Sequence, residues 1–106
     1  MPLVAILTNC PDIATADRIS DALIASRLVA SANRYAPIRS RYRWQGAVES
    51  AQEHPVLFKT RPGLADAAEA EITRLHPYDV PAILRLPMDA NAAYLEWIAT
   101  ETAHPD

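Results

Sequence analysis

The stretch Ser40-Arg41-Tyr42-Arg43-Trp44-Gln45-Gly46-Ala47-Val48-Glu49 decides how this 106-residue chain reads. Tyr42 and Trp44 recur at period two, and Arg39, Arg41 and Arg43 alternate with them. In a strand that spacing sends the two sets to opposite faces. Gln45-Gly46 then offers a two-residue hairpin turn, because glycine accepts positive φ. The partner strand follows over residues 47–60, with Val56-Leu57-Phe58 as its apolar part. Pro55 cannot donate to a ladder, so it marks an edge or a bulge. Upstream, residues 29–35 begin the extended structure and Pro37 interrupts it before residues 38–44 resume it.

Working outward, residues 3–7 are a continuous apolar run, which reads as a strand buried on both faces. Cys10-Pro11-Asp12 turns the chain, and Asp12 suits the N-cap of a helix over residues 13–27. Ala16, Ser20, Leu23, Ile24 and Arg27 are expected to share one side of that helix. Pro62 suits the first turn of a second helix, whose stripe is Leu64, Ala68, Ile72 and Leu75. Pro77 pushes His76 out of the α region and should stop it. A last strand covers residues 82–86. Asn91 can cap a short helix over residues 92–102, with Tyr94, Leu95 and Ile98 on one side.

The order is β-α-β-β-α-β plus a terminal helix, an α+β, ferredoxin-like sandwich forming a single domain over residues 1–106. Three of its strands, at Val4-Ala5-Ile6-Leu7, Val56-Leu57-Phe58 and Ala82-Ile83-Leu84, do not alternate. A sheet with one wet face should alternate. The two helices can cover one face, and the terminal helix is too short for the other, so the pattern predicts a homo-oligomer.

Half the residues are apolar and 22% are charged, with a net charge of -3. That balance argues against nucleic acid as the partner, since neutralising phosphates needs clustered Lys and Arg. A single cysteine, Cys10, allows no intrachain disulfide. The first residues lack a basic segment and a cleavage site, and no apolar run approaches the ~20 residues that cross a bilayer. A cytoplasmic protein without a membrane partner is the expectation.

The second motif, His76-Pro77-Tyr78-Asp79-Val80-Pro81, carries a His and a Tyr around the proline. Each candidate residue has two readings. Cys10, ahead of a helix start, is a metal ligand or reactive thiol, or a small buried Cys packing a turn. His76 is an imidazole donor for copper or zinc, or a helix terminator that bonds the last carbonyls. There is no His-x-x-His or Cys-x-x-Cys spacing, so a metal site would have to be shared between subunits. Tyr42 and Trp44 line a ligand cleft or bury against a neighbouring subunit. The Arg39-Arg41-Arg43 row grips an anion or forms a solvated edge. Glu49 completes a hard-ligand set or pairs with an Arg; Lys59 is a cleft cation or a solubiliser. His54 and His104 read as surface residues. Nucleophile, phosphate-loop and dinucleotide motifs are missing, so no enzyme and no organic cofactor are expected.

These pieces, in order, resemble the CutA divalent-ion tolerance family. The resemblance runs through Thr8-Asn9-Cys10-Pro11-Asp12, Arg27-Leu28-Val29-Ala30, Asn33, Ser40, Tyr42-Arg43-Trp44, Gly46 and Val48-Glu49. It continues through Lys59-Thr60, His76-Pro77-Tyr78-Asp79-Val80-Pro81, Leu86-Pro87 and Tyr94-Leu95-Glu96-Trp97. It implies a stable homotrimer, similar in plan to the PII signalling proteins, linked to tolerance of divalent metals, copper above all. It further implies clefts between subunits lined by Tyr42, Trp44, Lys59 and Tyr78. On that reading Cys10 and His76 are the metal ligands, with Glu49 beside them. The alternative is a PII-like trimeric module for a small or anionic ligand. The chain departs from the family's pattern at Ser31, where many members carry a second Cys, and at Ala36-Pro37, where many have Pro-Gly. The first change removes a soft ligand.

Overall fold

A computed structural model describes residues 2–103 of the chain; the expectation for His104 lies outside them. The elements are β1 (Leu3–Cys10), α1 (Ile13–Ala25), β2 (Ser31–Arg34), β3 (Ile38–Trp44), β4 (Ala47–Thr60), α2 (Ala65–Leu75), β5 (Ile83–Met88) and α3 (Ala92–Glu101). A short 3₁₀ turn, Pro62–Leu64, leads into α2. All strand pairs are antiparallel, in the order β2-β4-β1-β5, with β3 also on β4. This is the expected ferredoxin-like sheet with an extra helix.

Strand β4 organises it. Its second half pairs with β1, from Thr60 opposite Val4 to His54 opposite Cys10. On its other side β2 pairs with Lys59 to Val56, and β3 pairs with Glu53 to Ala47. Between those two registers, Tyr35, Ala36 and Pro37 stand opposite only Pro55 and His54. The extra residue is a β-bulge, which bends a strand and re-aims its side chains. Pro55 takes no N–H from the ladder at the one place where the ladder is broken, while its carbonyl still accepts from the Tyr35 N–H at 2.9 Å. The bulge reading of Pro55 therefore holds, inside a central strand rather than at an edge.

Beyond the bulge, β3 and the first half of β4 form a two-stranded ribbon with no third strand among the described residues. Its turn has φ of +49° at Gln45 and +82° at Gly46, the pair of positive values a type I′ hairpin needs. The ribbon stretches the molecule to 44 × 24 × 22 Å and a radius of gyration of 14.3 Å, against about 13 Å for a compact chain this long.

Side chains at even positions of β1 and β4 (Val4, Ile6, Val56, Phe58) meet α1 and α2 in the main core. α1 buries Thr15, Ala16, Ile19 and Leu23; Ala16 and Leu23 belong to the expected face, while Ile24 and Arg27 of that face are exposed and Thr15 and Ile19 take the core instead. The helix ends two residues earlier than expected. Leu28 N–H bonds the Leu23 carbonyl and Arg27 N–H the Ile24 carbonyl, with Arg27 at φ +60°. This is a Schellman closure with arginine where glycine is usual. Asp12 caps α1 as expected, accepting the Thr15 N–H at 2.7 Å. In α2 the predicted stripe is observed, Leu64, Ala68 and Ile72 being buried. α3 begins after Asn91, whose side chain makes no cap bond.

The far face of the sheet is only partly covered. Ile98 of α3 joins Leu3 and Ala5 in a small second core. Leu84, Leu86 and Met88, opposite Leu7, Ala5 and Leu3 in the ladder, remain 52%, 44% and 42% exposed. The helix is indeed too short to close that face alone.

The hairpin turn is directly testable. A Cβ at Gly46 would meet nothing within 4 Å, so its cost is conformational only. Gly46→Ala should lower stability by about 1–2 kcal/mol, the penalty for a side chain in the left-handed region, read from the urea midpoint. An unchanged midpoint would mean that the turn adopts another conformation.

Candidate functional site

The two motifs singled out in the sequence meet. A cleft of about 670 Å³ opens between the ribbon and the loop that follows α2. Asn9, Tyr42, Trp44, Glu53, Tyr78 and Asp79 are among its walls, with Arg41 and Arg43. Register explains the aromatic wall. Tyr42 stands opposite Glu49 and Trp44 opposite Ala47, so both share the strand face of Glu53 through the period of two. The bulge sets that parity.

The loop is tied down by polar contacts. Pro77 ends α2 as expected, and His76 is extended, at φ -78° and ψ 134°. Its backbone N–H closes the helix on the Ile72 carbonyl. The ring turns elsewhere: Nε2 lies 2.7 Å from the Asn9 carbonyl oxygen, and Nδ1 accepts the Tyr78 N–H at 3.2 Å. A carbonyl only accepts, so Nε2 carries the hydrogen and Nδ1 the lone pair. The tyrosine ring sits 4.7 Å from the imidazole, and its hydroxyl donates to Glu53 Oε2 at 3.0 Å. Burial, and then the bond to Glu53, raise the Tyr78 pKa above the ordinary tyrosine value. The phenol stays a neutral donor.

Cys10 is fully buried, on the helix side of the sheet. Loss of solvent, and then the negative charges of Asp12 and Glu53, push its thiol up to about 11, against a weaker opposing pull from Arg18. The thiol is held protonated. His54, expected at the surface, is 8% exposed instead. It stands opposite Cys10, and its Nδ1 has no hydrogen-bond partner among the described residues.

Glu49 is exposed on the ribbon. Lys59 lies elsewhere, opposite Ala5 and Ser31; it donates to Asn33 Oδ1 at 2.9 Å and stands 5.9 Å over the Tyr94 ring. The structure thus brings Tyr42, Trp44 and Tyr78 together within one chain, but not Lys59. Among the described residues no three His, Cys, Asp or Glu side chains gather as a metal-holding group. Within one chain, then, Cys10, His76 and Glu49 do not gather into such a group. The thiol is protonated and enclosed, both imidazole nitrogens are engaged, and the carboxylate lies on the ribbon. Sequence reasoning also missed Glu53. Counting in twos from Glu49 along the strand places it on the face of Tyr42 and Trp44, and that signal was available.

A family model described as CutA1 divalent ion tolerance protein matches residues 4–101. The chain belongs to the CutA1 family. It is 38% identical over 101 residues to the divalent-cation tolerance protein CutA of Pyrococcus horikoshii, covering 94% of this chain and 98% of that one. Human protein CutA is 32% identical across 92% of this chain, which spans 55% of the human protein. Among solved structures, CutA1 of Oryza sativa superposes with a TM-score of 0.94 at 31% identity, covering 99% and 97% of the two chains. A crystal structure of a point variant of Pyrococcus horikoshii CutA1 gives 0.92 at 37%, covering 95% and 99%. The fold of CutA1 is thus the fold of this chain.

The thiol makes a pH prediction. Between about pH 9 and 11 the unfolded chain gives up the Cys10 proton, from its ordinary 9.0, while the folded chain holds it. The unfolded state then binds fewer protons, and stability falls as pH rises. Below that window the effect is absent. Tyr78, also raised, adds its own loss only above pH 10. Urea unfolding at pH 8, 9 and 10 should show a smaller decline for Cys10→Ala than for the wild type; equal declines would mean that the thiol is not held.

Proposed function

We propose that this protein acts in divalent-cation tolerance as a cytoplasmic homotrimer, PII-like in plan, that binds rather than transforms its ligand. The observation that carries the reading is the family match over residues 4–101, joined to a cleft that holds both motifs. Membership also bears on location: a relative from Archaeoglobus fulgidus is described as a periplasmic divalent cation tolerance protein CutA, with a TM-score of 0.90 at 29% identity. The single cysteine, free and buried, is compatible with a reducing compartment. Among the described residues no helix is long and apolar enough to cross a membrane.

Self-assembly is supported by what one chain leaves open. The ribbon has no third strand among the described residues, and such a two-stranded pair is marginal alone in water. Ile38, Val48 and Trp97 are exposed, as are Leu84, Leu86 and Met88. A neighbouring copy would cover these residues and could bring its Lys59 to the cleft of Tyr42, Trp44 and Tyr78. A second reading, a PII-like module for an anionic ligand, is favoured by one observation: Lys59 bonds a neutral amide and forms no ion pair among the described residues.

Tolerance then does not rest on a resident thiolate–imidazole copper site. Titrated with copper against a chelator of micromolar affinity under reducing conditions, the protein should lose the competition. Stoichiometric capture of copper that is lost in Cys10→Ser and His76→Ala would overturn this. Assembly has its own test. Leu86→Asp puts a charge on the open face and should shift sedimentation from a trimer to a monomer while leaving the circular dichroism unchanged. A trimer of unchanged stability would place the interface elsewhere.

A further inference from the structure

Several segments converge where β4 ends, at the opposite end of that strand from the ribbon. Arg61, which follows β4, donates from Nε to the Thr102 hydroxyl at 2.9 Å and from its guanidinium to the Ala103 carbonyl. The Thr102 hydroxyl in turn donates to the Ile98 carbonyl at 2.8 Å. Arg27, in the closure of α1, donates to the Thr100 carbonyl at 2.7 Å, and its own carbonyl accepts the Ala103 N–H at 2.8 Å. The loops that carry the two arginines are bonded to each other, since the Thr60 hydroxyl donates to the Leu28 carbonyl at 2.6 Å. Thr60 and Thr102 are fully buried.

This arrangement answers a need of α3. The last carbonyls of a helix have no partner within it, and the negative end of its dipole favours cations. Two arginines here supply donors and charge together. α3 takes no part in the ladder. Among the described residues these bonds are the ones that join residues 92–103 to the rest of the chain beyond the turn at Asn91. All are made within one chain, and a neighbouring copy that covers the outer side of α3 leaves them in place. Arg27 gives a second sign. Its φ of +60° lies where a β-carbon is strained and where Gly or Asn enters more easily. Such outliers persist where the surroundings over-determine them. Beyond closing α1, what the arginine adds at this position is its grip on α3.

We infer that Arg61, Thr102 and Arg27 form a lock on the C-terminal helix: α3 opens as a unit while the sheet stays folded, and the lock sets how often it does. Opening uncovers Leu3 and Ala5, which pack on Ile98, and carries the Tyr94 ring away from Lys59. This device is separate from the cleft and from whatever the cleft binds.

The test is amide hydrogen exchange of the full-length protein in its native assembly, read by mass spectrometry on α3 peptides against β1 and β4 peptides. Arg61→Met keeps the apolar stem and Thr102→Val keeps the volume. In both, α3 should exchange roughly tenfold faster than in the wild type, the effect of losing a charge-assisted bond, with β1 and β4 little changed. Arg27→Asn should relax the backbone yet release Thr100. Its urea midpoint should not fall, while α3 exchanges roughly threefold faster, as for an exposed bond. That split separates a lock from a general loss of stability, and this variant keeps the proposal falsifiable if the other two fail to fold. Unchanged α3 exchange in the folded variants would overturn the proposal, because the apolar base or a neighbouring copy would then hold the helix. Acceleration of α3, β1 and β4 by one common factor would also overturn it, because α3 would then open only with the whole chain.

Discussion

The ladder along β4 carries three partners on one fourteen-residue strand, and the cleft exists because they share it unequally. β1 stops opposite His54 and β2 stops opposite Val56. From there β4 continues with β3 alone. The handover needs one extra residue, and the chain places prolines on both sides of it, Pro37 and Pro55. Each lacks an N–H that a continuous ladder would have left unsatisfied at the break. The bulge then flips the parity of β3 relative to β2. Without it, the arginine row rather than Tyr42 and Trp44 would share the face of Glu53.

A second constraint fixes the opposite wall. Pro77 ends α2, and the chain must cross the end of the sheet to start β5. Three polar contacts tie the crossing: the His76 ring spans from the Asn9 carbonyl to the Tyr78 N–H, and the Tyr78 hydroxyl reaches Glu53. The residues most suggestive of metal chemistry are thus used in holding the loop. Cys10 beneath them is kept protonated by burial and by nearby carboxylates. Within one chain the thiol is buried and the histidine ends its helix, although His76 reaches across to β1 instead of capping that helix with its ring.

Local signals are readable where they depend on neighbours in sequence. The Gln45-Gly46 turn, the Asp12 cap, the stop at Pro77 and the α2 stripe all rest on residues within a turn or two, and all appear as expected. Sequence and structure part where tertiary packing chooses between similar options. Periodicity alone puts Ala16, Ser20, Leu23, Ile24 and Arg27 on one side of α1; the sheet keeps Ala16 and Leu23 but adds Thr15 and Ile19 in place of Ile24 and Arg27. His54 looks like a surface residue beside Pro55, and only its position opposite Cys10 in the ladder buries it. Glu53 escapes notice because a lone acid in a strand carries no local mark; its meaning comes from Tyr78, 25 residues away. Lys59 groups with the cleft by family resemblance, and within one chain it lies six residues further along β4 from Glu53, beside Tyr94 of α3.

The uncovered surfaces point the same way as the proposed assembly. Leu84, Leu86 and Met88 line the β5 edge of the far face, and the ribbon extends β4 beyond β1 with aromatic side chains on that same face. A flat apolar strip and a protruding ribbon are poor surfaces for a single copy in water, since each exposes apolar area or unpaired backbone. They are complementary to each other in kind: the ribbon of one copy can lie on the strip of the next. Three such contacts close a ring without leaving either surface open, and a closed ring limits growth where an open heterologous contact would continue into a filament. On that arrangement the cleft lies at the root of each ribbon, where the neighbour's Lys59 and the chain's own Glu53 present opposite charges to whatever enters.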